Sequence, residues 1–337
     1  MEIGTRKLTL PILPHSPCFH FRDSDNIIRT GPGQPDRINR KDRDRRDPAF
    51  LCDDMADTYR TDFGYNRFAD LFYHLLAHMP LDCAADEYDP AYVARMAGEL
   101  GVSPQVPQRV TDYYQEHFDR VMIMTFLALA ADNTRHLREA LEGCGMLTEE
   151  DMKRCADPLL EIVDRVSEPF YGWWEQRHTE ASERKGKVFD RFDALAARFA
   201  PFLDALNGNP KVLFSYTLRR NGRAFYRPDG ITVYVAFPDR DEDIVPCFLQ
   251  YLHECTHSVT DPLLDRAIRM ADGTHDLSEY QVLCFDEYLI AALAPDLAET
   301  YRDWIGAETL ACAHEQLGPE GEQRLQDCLK EMLDKVA

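Results

Sequence analysis

The stretch that most restricts what this chain can fold into is Asp243–Asp261, DIVPCFLQYLHECTHSVTD. Val245, Phe248, Leu249, Leu252, Cys255 and Val259 recur at three and four, the period of an amphipathic helix. Pro246, Gln250, His253, Glu254, His257 and Asp261 fall on another face. Asp241 or Asp243 can cap the start, Pro246 is tolerated in a first turn, and Asp261-Pro262 offers a stop. On such a helix His253 and His257 stand one turn apart, so both imidazoles reach one ion. Glu254 lies beside the first of them, where its carboxylate faces a water on that ion. Zinc suits this set, because neutral imidazole is a favoured ligand and a catalytic site keeps one position open. The plainer reading is an ordinary amphipathic helix carrying two histidines.

Composition narrows the alternatives. A chain of 337 residues can build a large core or two lobes around a cleft. The formal net charge of -21 argues against nucleic acid or an anionic membrane as partner, since either repels such a surface. The short apolar run Leu8–Leu13 is interrupted by Pro11, unlike a secretory h-region, and no stretch approaches the ~18 apolar residues of a membrane span. Ten cysteines are scattered through helical patterns, which reads as reduced thiols in a cytoplasmic protein.

Three regions follow in order. Residues 1–50 form an irregular segment. His15, Cys18 and His20 there read as an extended stretch rather than a metal knuckle, and Asp36–Asp47 as a solvated charged loop. Residues 51–206 are helical in pattern, with Tyr171, Trp173 and Trp174 as core aromatics. In 207–337 the period changes. Val212–Leu218, Ala224–Arg227 and Ile231–Phe237 read as strands joined by turns at Asn221-Gly222 and Pro228-Asp229-Gly230. The expected fold is α+β, predominantly helical, with a small antiparallel meander leading into the His-Glu-x-x-His helix. A second helix begins near a capping Ser278 and runs to Leu293, and further helices follow to the C-terminus.

That second helix offers Glu279 and Glu287 as a third ligand; roughly 12 Å apart, they cannot both bind one ion. Over about Lys211–Leu293 the chain resembles the zincin metallopeptidases, in their gluzincin branch, where two motif histidines and a Glu from a following helix hold zinc. The resemblance implies a zincin-like catalytic core, with Ile231–Phe237 as the substrate-edge strand. LHECTHSVTDP and Asp286-Glu-Tyr-Leu-Ile-Ala-Ala292 look like bacterial-type members of that branch, which favours Glu287. Glu279 has the spacing of thermolysin-like members, but Leu283 stands where those carry a supporting Asp. The implied activity is zinc-dependent hydrolysis of peptide bonds in a peptide or protein substrate, by a metal-activated water with Glu254 as general base. His275, Tyr280 and Tyr288 are candidate donors to the transition state, and Asp261 is placed to orient an imidazole or to cap. Two readings compete. The same donors suit Fe(II) in a non-haem, peptide-modifying enzyme, and a non-catalytic module could use a strand edge to hold a peptide.

Overall fold

The computed structural model describes residues 19–20, 60–81, 90–100, 103–206, 210–219, 222–227, 230–263 and 274–336. The protein is predominantly helical around a small mixed sheet. Its strands are β1 (Phe19–His20), β2 (Asp62–Tyr65), β3 (Lys211–Ser215), β4 (Arg223–Arg227) and β5 (Gly230–Ala236), in the spatial order β1-β4-β5-β3-β2. The anticipated strands are present, but they are not a simple meander. β4 pairs antiparallel with β5, whereas β3 pairs with β5 in parallel, Val212 opposite Val233. β3 is joined in parallel by β2, which lies inside the stretch read as helical. β5 is therefore central rather than an edge, so its backbone is not open to an added strand. Its sequence fits that position: Ile231, Val233, Tyr234 and Val235 are all buried, as a strand covered on both faces requires.

The sheet is tied to the helices through one buried carboxylate. The helix Arg67–Ala77 starts at Asn66, whose side chain accepts from the N–H groups of Phe68 and Ala69 and donates to Leu129 O and Ala131 O. Asp70, in its first turn, is fully buried. It accepts from Ser215 Oγ and the Tyr216 N–H at the end of β3, Tyr234 Oη on β5, and Trp174 Nε1 on the long helix Asp157–Glu180. Burial pushes its pKa up, and these donors pull it back only in part. Of the three aromatics read as core, Trp174 is buried in it, while Tyr171 and Trp173 are half-buried against it.

The motif helix, Ile244–Thr260, leaves β5 through one 3-10 turn, Asp241–Asp243, and passes through the interior. Phe248 packs against Phe192 and Phe199, and Tyr251 against Phe192. The expected cap is absent: Asp243 occupies the N-cap position but its side chain bonds Arg240, while Asp241 pairs with Arg184 and Lys187. The carboxylate helix, Thr274–Leu293, begins before Ser278, which lies inside it instead of capping it. Beyond it come Ala298–Ile305 and a C-terminal helix, Ala307–Val336, kinked at Gly318, whose φ of 64° is left-handed.

The seven described cysteines are free thiols. Among the described residues no helix is long and apolar enough to cross a membrane. The charged run Asp36–Asp47 lies outside the described residues, as do His15 and Cys18.

Asp70→Ala strands four buried donors in one step. It is expected to lower unfolding free energy by about 3 kcal/mol or more, measured by urea denaturation; a loss within experimental error would show that this carboxylate does not hold the sheet to the helices.

Candidate metal centre

On the motif helix nearly every side chain is buried, including those on the polar face: His253 is 5% exposed, Glu254 0% and His257 1%. A helix buried all round needs partners for each polar group. The histidines find theirs on separate elements. His253 Nδ1 lies 2.9 Å from Asp286 Oδ2 on the carboxylate helix, and His257 Nδ1 lies 3.2 Å from Asp261 Oδ1 in the turn that ends its own helix. An ionised carboxylate only accepts, so both Nδ1 atoms donate and each Nε2 is left to present a lone pair when the ring is neutral. Asp261 is braced in turn by Ser278 Oγ, 2.6 Å away. Asp261 thus makes the contact that an orienting residue would need while standing at the end of its helix, and the Ser278 hydroxyl bonds Asp261 instead of capping.

Both Nε2 atoms turn towards Glu279. His253 Nε2 is 3.4 Å from Oε1, and His257 Nε2 is 3.7 Å from Oε2. The three ligand atoms lie within 4.8 Å of one another. Donors about 2.0–2.1 Å from a common tetrahedral ion stand about 3.3 Å apart, so small movements of these side chains would close the set. His257 Nε2 is buried and has no hydrogen-bond partner among the described residues, a need that a cation would answer. Burial alone would push both imidazole pKa values down. For His253 the charges of Glu279 and Asp286 outweigh it, and for His257 Asp261 does, so both end above their ordinary value. The site favours positive charge at this point, and a metal ion entering it would displace protons.

Glu287, favoured by the resemblance, lies elsewhere. Its Oε1 accepts from Arg302 Nε and Nη2 at 2.9 and 2.8 Å, and its Oε2 is 2.8 Å from His314 Nε2. The reason is rotational. At about 100° per residue, eight residues carry Glu287 roughly 80° round the helix from Glu279, towards the C-terminal helix, whereas seven return Asp286 to within about 20°. Asp286 therefore supports His253 from the turn above, the task that Leu283 cannot perform. Its spacing from Glu279 was the available signal. Tyr288, nine residues after Glu279, is on the opposite side and packs against His314, with ring centroids 6.0 Å apart. It is not at the histidines. Tyr280 packs against the hydrophobic core beside Glu279, and the side chain of His275 lies outside the described residues.

Glu254 is not one of the three converging ligands. Gln250 Nε2 donates to its Oε1 at 2.9 Å, Tyr226 Oη on β4 donates to its backbone oxygen, and Gly222 approaches its side chain. Trp304, its ring centroid 6.4 Å from that of His253, borders the site from Ala298–Ile305. Gln250 stood on the polar face in the sequence without an assigned role; Gly222 and Tyr226 gave no local signal.

Equilibrium dialysis against Zn2+ should give one tight site per chain. Affinity should fall at least tenfold in His257→Ala and Glu279→Ala and stay unchanged in Glu287→Ala; loss in Glu287→Ala with retention in Glu279→Ala would reverse the assignment.

Comparison of the chain with protein-family models, with curated proteins and with solved structures finds no match.

Proposed function

We propose that the protein is a zinc-dependent hydrolase of peptide bonds, with His253, His257 and Glu279 holding the ion and Glu254 as general base. The observation that carries this reading is the division of labour among the carboxylates around the histidines. Glu279 meets both Nε2 atoms and Asp286 and Asp261 meet the Nδ1 atoms, while Glu254, adjacent to His253 in sequence, stays outside the ligand set. Keeping a fully buried carboxylate outside the ligand group is costly, and proton transfer is a role that explains it.

Zinc bound there supplies a Lewis acid that polarises the substrate carbonyl and lowers the pKa of water at the open position. The protein's own groups do the rest. Asp286 and Asp261 hold the imidazoles in one tautomer and one orientation. Glu254 accepts a proton from the water whose oxygen joins the carbonyl carbon. It then returns that proton to the amide nitrogen as the C–N bond breaks, giving a carboxylic acid and an amine, and the acid's proton passes on to the amine to leave a carboxylate and an ammonium.

Two histidines and a carboxylate also suit Fe(II). Hydrolysis is preferred because Glu254 is a buried carboxylate next to His253 in sequence, a group that oxygen chemistry on such a triad does not require. The resemblance to gluzincins agrees with this choice, now through Glu279. A fold-level zincin assignment is part of the proposal. The substrate strand expected of β5 is not, since β5 lies inside the sheet.

Glu254→Gln is expected to keep the bound zinc and lose cleavage in a peptide-library screen by about 10²–10⁴-fold. Unchanged cleavage with zinc bound would refute the mechanism. Iron in the purified protein, with turnover that needs oxygen, would replace hydrolysis by oxidation.

A further inference from the structure

We infer that Gln250 is a positioning residue for Glu254, acting with the backbone at Gly222 to fix its carboxylate; the inference rests on the hydrolytic reading above. A glutamine one turn before a glutamate is unremarkable on a solvated helix, where water competes for both groups. Here water has little access: Gln250 is 8% exposed and Glu254 0%. The 2.9 Å bond from Nε2 to Oε1 is a hydrogen bond to a carboxyl oxygen in a desolvated place, where such bonds are strengthened.

The second restraint is steric. Gly222 precedes β4 and runs against the same side chain. A Cβ built at Gly222 would stand 2.8 Å from Glu254 Cγ, 2.9 Å from its Oε1 and 3.2 Å from Gln250 Cγ. No side chain larger than hydrogen fits without moving one of them. Tyr226, farther along β4, fixes the backbone of Glu254 through its hydroxyl. The base is thus held by a donor from the preceding turn and by the close approach of a strand. A Glu side chain has three rotatable bonds, and a base that must stay within reach of one water gains from losing that freedom beforehand.

The test uses the full chain loaded with zinc. Gln250→Met keeps length and helix preference but removes the donor; Gly222→Ala perturbs the same carboxylate from the strand side. Zinc stoichiometry, kcat and KM on a fluorogenic peptide selected from the library, and crystal structures of the loaded wild type and Gln250→Met are compared. The expected result is full zinc occupancy, KM within about twofold and kcat lower by roughly tenfold or more, with Glu254 in a new rotamer. An unmoved Glu254 in Gln250→Met, an unchanged kcat, or a loss confined to KM or zinc content would overturn the inference. If zinc-loaded wild type cleaves no peptide, the hydrolytic reading fails, and the crystallographic comparison still decides whether Gln250 holds Glu254.

Discussion

The structure turns on the burial of two imidazoles among carboxylates. His253 and His257 lie between the motif helix and the carboxylate helix, with Glu279, Asp286 and Asp261 around them. In a low-dielectric interior unpaired charges are expensive, so this arrangement survives only with positive charge at its centre, as protons on the rings or as a cation between them. Every neighbouring element is placed in keeping with that need. Ser278 steadies Asp261, Trp304 closes one side, and β4 presses on Glu254 from another.

The sheet supplies the rigid backing. Asp70 gathers donors from β3, β5 and the long Asp157–Glu180 helix at one buried point, so the strands that lead into the motif helix cannot shift independently of the helical region. The connection from β5 to the motif helix is short, and Phe248 and Tyr251 anchor that helix against Phe192. Precision at the histidines therefore comes from packing some distance away, in keeping with a site built on regular elements rather than on loops. Glu287, half-buried, shows another use of an acid on the same helix. Bonded to Arg302 and His314, it fastens the carboxylate helix to the helices that follow and has no part in the cluster.

Much of the site was legible from spacing. His253, His257 and Asp261 follow one another at intervals of four, which on any helix puts them in line, and the His257–Asp261 bond is formed within that line. The strands of the 207–237 stretch were legible from their β-branched and aromatic residues. Their order was not, because alternation along a strand says which residues are buried and nothing about which strand lies beside it. β5 reads equally well as an edge or as a centre until β3 and β4 are seen on its two sides. β2, only four residues long, carries too little pattern to stand out within a helical stretch.

The sequence by itself determined the face of the motif helix: which residues share it, that two can meet one ion, and that a carboxylate adjoins them. These are local consequences of 3.6 residues per turn, independent of anything outside the helix. Only the tertiary structure decided which carboxylate of the second helix lies with the two histidines. Glu279 and Glu287 are equally good ligands as side chains; the rotation of their helix about its own axis, set by what its other faces pack against, turns Glu279 to the histidines and Glu287 to Arg302. The support of Glu254 by Gly222 and Tyr226 is likewise tertiary, since it joins a strand to a helix about thirty residues farther along the chain.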